Sequence, residues 1–108
     1  MPKRQTNNLR WTAELQMILE FPNRDDRPTV YRHKQRVLRY EDIGITANEK
    51  YLSQQAKTEV VRRIKIRLDK SINEKFNGVR IGNTDYNITR IFTNMDKREM
   101  ELSLAYVD

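Results

Sequence analysis

The chain has no cysteine, one histidine, one tryptophan and only three glycines in 108 residues. Without cysteine neither a disulfide framework nor a thiolate metal site can form, so the fold needs no oxidising compartment. The lone His33 lies between Arg32 and Lys34. It cannot build a metal site without carboxylate help, and its basic setting marks it as a solvated side chain. Gly44, Gly78 and Gly82 lack the spacing, and the following Lys-Ser/Thr, of a loop that cradles phosphate. Long apolar runs are missing too: the longest, Leu104 to Val107, falls far short of a membrane span, and Glu14 and Gln16 interrupt any signal-peptide core. Asp25 with Asp26 and Glu41 with Asp42 are adjacent carboxylates, which point to opposite faces of an extended chain and read as turn formers. The expectation is a soluble, unexported protein with no membrane contact, no cofactor or metal and no enzymatic activity.

Charge is what the chain has in excess. Hydrophobic residues make up 37% and charged residues 33%, with 21 Lys and Arg against 15 Asp and Glu, a net charge of +6. Residues 1 to 40 carry nine cations and four anions, residues 41 to 57 two and three, and residues 58 to 108 ten and eight. A basic excess raises encounter rates with nucleic acid or acidic proteins without specifying a fold. "MPKRQTNNLR" has too little apolar content to offset its own ordering, so residues 1 to 12 are expected to form a flexible basic arm carrying Lys3, Arg4 and Arg10. Trp11 marks where packing is expected to start.

From residue 13 to 108 the length suits one domain. Leu15, Met17, Leu19 and Phe21 alternate with Glu14, Gln16, Ile18 and Glu20, the period of a half-buried strand that Pro22 ends. After the polar connection "PNRDDRP", the stretch "TVYRHKQRVLRY" returns with Val30, Val37 and Leu38 in a weaker strand pattern. Residues 41 to 57 then change character and read as an inserted loop. Thr46 and Glu49 have capping-box spacing, so either a short helix over residues 47 to 56 or an ordered loop carrying Tyr51 and Leu52 towards a partner is expected.

"EVVRRIKIRLDK" fits two periods, because Leu52, Ala56, Val60, Ile64, Leu68, Ile72 and Phe76 recur every four residues. On a helix Ile66 would sit roughly 200° from Ile64, among the cations; on a strand it joins Ile64 and Leu68 on one apolar face, with Arg63, Lys65 and Arg67 on the other. The strand is the reading adopted. Further on, Gly82, Asn83, Thr84 and Asp85 between two apolar runs signal a hairpin, and "NMDK" supplies the turn before "MELSLAYVD". Strands near 79 to 81, 86 to 92 and 99 to 107 make a meander. The fold class is therefore all-β: a small antiparallel β-barrel or sandwich with one long inserted loop.

Two partner classes compete for the basic stretch. Arg62, Arg63, Lys65, Arg67 and Lys70 could meet nucleic acid, but no aromatic platform is interleaved with them. Alternatively they form a solvated strand face balanced by Glu99, Glu101 and Asp69. A small basic DNA-binding protein, with one long helix over 47 to 77 capped at Thr46 and stopped near Gly78, is the alternative to the β reading.

The segments "RRIKIRLD", "VRIGNTDYNITRIF" and "DKREMELSLAYVD", with Ile81, Tyr86, Ile88, Ile91, Met100, Leu102 and Leu104 at the apolar positions, give residues 14 to 108 a strand order that resembles the head-tail adaptor family of tailed bacteriophages, also called head-closure or head-completion proteins. "YEDIGITANEKY", residues 40 to 51, looks like the loop region of members from phages and prophages of Gram-positive bacteria. Many members carry a tryptophan where this chain has Val37 to Tyr40. The resemblance implies a structural virion protein without enzymatic activity. It would be a monomer alone, made in the host cytoplasm, and assembled below the portal or connector as a ring of roughly a dozen copies that closes the DNA-filled head and offers tail proteins a docking surface. Loop residues Glu41, Asp42, Ile45, Tyr51 and Leu52 would then touch a subunit or partner. Arg63, Lys65 and Arg67 would face a neighbour, or line a channel and touch packaged double-stranded DNA without reading its sequence.

Overall fold

The computed structural model describes residues 9–22, 28–45, 47 and 59–107. Six strands, β1 (Trp11–Phe21), β2 (Thr29–Ile43), β3 (Arg62–Arg67), β4 (Asn77–Ile81), β5 (Thr84–Asn94) and β6 (Glu99–Tyr106), form one antiparallel sheet closed in the order β1-β2-β3-β6-β5-β4. The fold is all-β, as the alternation had led us to expect. Residues 62–67 and 77–81 are strands, so the continuous helix over 47 to 77 is not formed. The capping box at Thr46 and Glu49, the helix over 47 to 56, and the residues Lys3, Arg4, Tyr51 and Leu52 fall largely or wholly outside the described residues. Among the described residues no helix is long and apolar enough to cross a membrane.

The barrel interior is filled by one side-chain set from each strand. Leu15, Ile64, Ile66, Val79, Leu102 and Leu104 are almost completely buried, with Leu38, Tyr40, Tyr86, Ile88 and Met100 around them. Ile66 sits with Ile64 inside, opposite Tyr40 on β2 and Met100 on β6. Leu68, just beyond the strand, packs half-buried against the same core. The β4–β5 hairpin closes through Gly82, whose φ of 62° supplies the left-handed residue that a tight two-residue turn requires. The β5–β6 turn uses Asn94 Oδ1, which accepts from the Lys97 N–H at 3.2 Å, and a left-handed Arg98 at φ 55°.

Three expectations need correction. β1 begins at Trp11, paired with Tyr40, so the strand reaches two residues into the stretch read as an arm; the Trp11 side chain stays 55% exposed. Met17 and Phe21 share the inward face of Leu15 but are 38% and 50% exposed, because β4 accompanies β1 only as far as Met17. Beyond that point β1 and β2 form a projecting two-stranded ribbon in which Phe21 packs edge-on against Tyr31. Glu41 and Asp42 are not turn residues: β2 runs to Ile43, so the inserted segment starts at Gly44 rather than at 41. Phe76, the last member of the every-fourth-residue series, lies in the β3–β4 connection, exposed.

Candidate functional site

Alternation places Glu41, Arg63, Lys65, Arg67, Glu99 and Glu101 on the outer wall of β2, β3 and β6, since their neighbours in sequence fill the core. The register sets Lys65 opposite Glu41 on one side and Glu101 on the other. Lys65 Nζ lies 3.2 Å from Glu41 Oε1 and 3.8 Å from Glu99 Oε2. Arg63 pairs with Glu101 and donates from Nη1 to the Gly44 carbonyl at 2.6 Å. Arg67 is exposed and has no partner among the described residues. Much of the basic row is thus matched by carboxylates of the same chain. Asp69 takes no part, pairing with Arg36 and accepting from Ser71 Oγ at 2.6 Å.

Arg62 has the inward parity of Ile64 and Ile66 but stands at the end of the strand, where it closes one mouth of the barrel. Its Nε and Nη2 donate to the two Asp42 carboxylate oxygens at 2.8 and 2.9 Å. Nη1 and Nη2 also reach the hydroxyls of Tyr86 and Tyr40, each at 3.4 Å, and the guanidinium lies 5.8 Å from the centre of the Tyr40 ring. Tyr86 stacks on Tyr106 at 5.7 Å. Hydrogen bonding from Arg62 holds the Asp42 carboxyl below its ordinary value, and the Asp42 bond raises Arg62 in turn. Burial pushes the Tyr40 phenol up, with Arg62 opposing.

The unfolded chain therefore takes up a proton at Asp42 before the folded one does. The pair's contribution is complete above the ordinary carboxyl value of 3.8 and is lost as pH falls through the lower folded value. Asp42→Asn should accordingly flatten the acid limb of stability below about pH 5, measured by urea unfolding at a series of pH values. An acid limb identical to wild type would show that the mouth pair contributes nothing.

A second polar cluster covers the wall formed by β1, β4 and β5. Gly78 pairs with Gln16 and Asn87 at outward positions, and the Arg32 guanidinium lies across it. Arg32 donates from Nε to Gln16 Oε1 at 2.8 Å, from Nη1 to Asn87 Oδ1 at 3.1 Å and from Nη2 to the Tyr86 carbonyl at 2.6 Å. Asp85 Oδ1 accepts from Gln16 Nε2 and from Arg80 Nη1, both at 3.0 Å. Burial lowers the Arg32 pKa, and Asp85 opposes that shift. With its carbonyl also accepting from Asn77 Nδ2 at 3.1 Å, this outward Gln16 is only 4% exposed.

The candidate residues that the structure describes fall into four places. Glu41, Arg63, Lys65 and Arg67 share the outer wall, Asp42 joins Arg62 at the mouth, and Ile45 is exposed where the inserted segment leaves that same end. Arg10 is exposed before β1. Sequence reasoning missed a slot between β2 and β3, lined in part by Arg36, Arg39 and Asp69. The one signal that could have pointed to it is the run from Thr29 to Arg39, which holds four Lys and Arg and no carboxylate. Among the described residues no group of three or more His, Asp or Glu is placed to hold a metal. Most of the convergent groups are ion-paired with one another, suited to holding a surface in shape and meeting a complementary one. Compared with protein-family models and with curated proteins, the sequence matches none.

Proposed function

We propose that this chain is a structural adaptor of a phage particle, one copy in a ring that closes the DNA-filled head below the portal and receives the tail. The observation that carries the reading is the polarity of the barrel. One end bears the projecting β1–β2 ribbon, with Phe21, Val30 and Tyr31 about half exposed. The other end bears both stumps of the inserted segment, at Ile45 and Glu59, together with exposed Trp11, Tyr106 and Val107. A rigid closed barrel with apolar side chains at both poles suits a part that joins two different neighbours. Its outer wall, with carboxylates and cations alternating across β2, β3 and β6, suits contact between identical copies, where each charge must meet its complement in a heterologous interface.

The experiment is electron microscopy of particles made when the gene for this chain is disrupted. DNA-filled heads and separate tails should accumulate, and normal joined virions would sink the proposal. Supplying a variant that lacks residues 45 to 55 should leave a folded, β-rich protein that does not restore joining. A deletion product that restores joining would show that the inserted segment is not the contact.

A further inference from the structure

The net charge of +6 has to reside somewhere, and the basic row of β3 does not account for it, because Glu41, Glu99 and Glu101 offset Arg63, Lys65 and Arg67 on the same wall. Part of the surplus gathers one step away. β2 and β3 are paired only from Tyr40↔Ile66 to Ile43↔Arg63, and past Tyr40 they diverge, leaving a slot between Arg36–Arg39 and Arg67–Asp69 that continues under the β5–β6 turn. Its two adjoining lobes measure about 410 and 470 Å³. Arg36, Arg39, Arg67, Lys97 and Arg98 line them, against Asp69 and Glu99.

We propose that this slot binds the phosphodiester backbone of duplex nucleic acid without reading its sequence. Four of the five cations are arginines, whose planar forks match phosphate oxygens two at a time. Arg36 is engaged by Asp69 and Arg39 Nε donates to the Leu9 carbonyl at 3.1 Å, but the side chains of Arg67 and Lys97 have no partner among the described residues and are free to meet an anion. Leu9 lines both lobes, and Arg10, exposed and next to it in sequence, adds a further positive charge beside the slot. Among the described residues no aromatic side chain lines the slot, which gives single-stranded bases no stacking platform there and favours an intact duplex. The site belongs to the single chain and stands whether or not copies assemble into a ring.

The test is fluorescence anisotropy of a labelled 20-base-pair duplex (about two helical turns) titrated with the full chain between about 50 and 200 mM salt, since each phosphate contact contributes roughly 0.9 to the slope of log affinity against log salt. Arg67→Gln combined with Lys97→Gln should reduce that slope by about 1.8, equally for two unrelated duplex sequences. Arg67→Lys should keep the slope, and so should the wall variant Arg63→Gln/Lys65→Gln. Equal losses from slot and wall variants, or no change from the slot variant, would overturn the proposal. Displacement of the duplex by poly-glutamate at matched charge would also overturn it, in favour of an acidic polypeptide. Should the glutamine variant fail to fold, amide shifts in the wild-type chain decide: residues 36–39, 67–69 and 97–99 should move on adding duplex, and movement confined to 90–92 and 101–103 would place binding elsewhere.

Discussion

Gly78→Ala should lower stability by about 3 kcal/mol and the thermal midpoint by about 10 °C or more, at roughly 4–8 °C per kcal/mol for a domain near this size. A β-carbon at residue 78 would overlap the Arg32 guanidinium and stand 2.9 Å from the Tyr86 carbonyl oxygen. The backbone of β5 cannot retreat without disturbing its ladder, so Arg32 has to leave. Its departure removes charge-assisted hydrogen bonds to Gln16, Asn87 and Tyr86 and leaves polar groups under cover with fewer partners. Urea unfolding of Gly78→Ala, Arg32→Ala and the double variant checks the account. With the arginine already gone, the added alanine should cost at least 1 kcal/mol less than in wild type. Strict additivity would mean that Gly78 is required for some reason other than the guanidinium above it.

Ile66→Ala should cost about 2–5 kcal/mol, whereas Lys65→Ala, next to it, should cost no more than about 1 kcal/mol. Ile66 is 1% exposed between Tyr40 and Met100, and truncating it opens a void in the middle of the closed barrel. Lys65 holds its carboxylates at a partly exposed outer position, where ion pairs contribute little. Chemical denaturation of the two variants side by side measures the contrast. Equal and small losses would place Ile66 among the cations, as a helix over this stretch requires, and would sink the strand assignment.

How far the fold was legible can be judged from these residues. Ile66 was decisive because periods of 2.0 and 3.6 send it to opposite faces, and Gly82 was readable because a tight hairpin needs a left-handed residue. Met17 and Phe21 misled because alternation reports which face a residue shares but not how far the neighbouring strand extends; β4 stops covering β1 at Met17. Gln35 is the extra residue of a bulge, where pairing passes from Leu15↔Arg36 to Gln16↔Lys34. That shift of one position weakens the β2 pattern and hides the inward Leu38 among exposed Val30 and Val37.

The candidate site was less legible than the fold. The basic row was visible in sequence, but its partners depend on register: Glu41 comes from β2 and Glu99 and Glu101 from β6, and only the pairing of both strands with β3 brings them beside it. Glu41 and Asp42 looked like a turn because adjacent carboxylates are common there. In the folded chain one serves the wall and the other the mouth, as strand alternation demands. Nothing local to Gln16, Arg32 or Gly78 announces their cluster, which three separate strands assemble.

The pairing of β1 with β4 also governs how the chain can fold. Leu15 meets Val79 across more than half of the chain, while β4, β5 and β6 are joined by turns of two and four residues and can pair locally. Bringing β1 to β4 carries the larger loop-closure entropy, so the rate of barrel formation should be governed by that distant seam rather than by the meander. During synthesis the amino-terminal strand has only β2 beside it until residue 81 has emerged. Through that interval its other edge stays open, and the charges of Glu14 and Glu20 on β1 guard it against pairing with a second nascent chain.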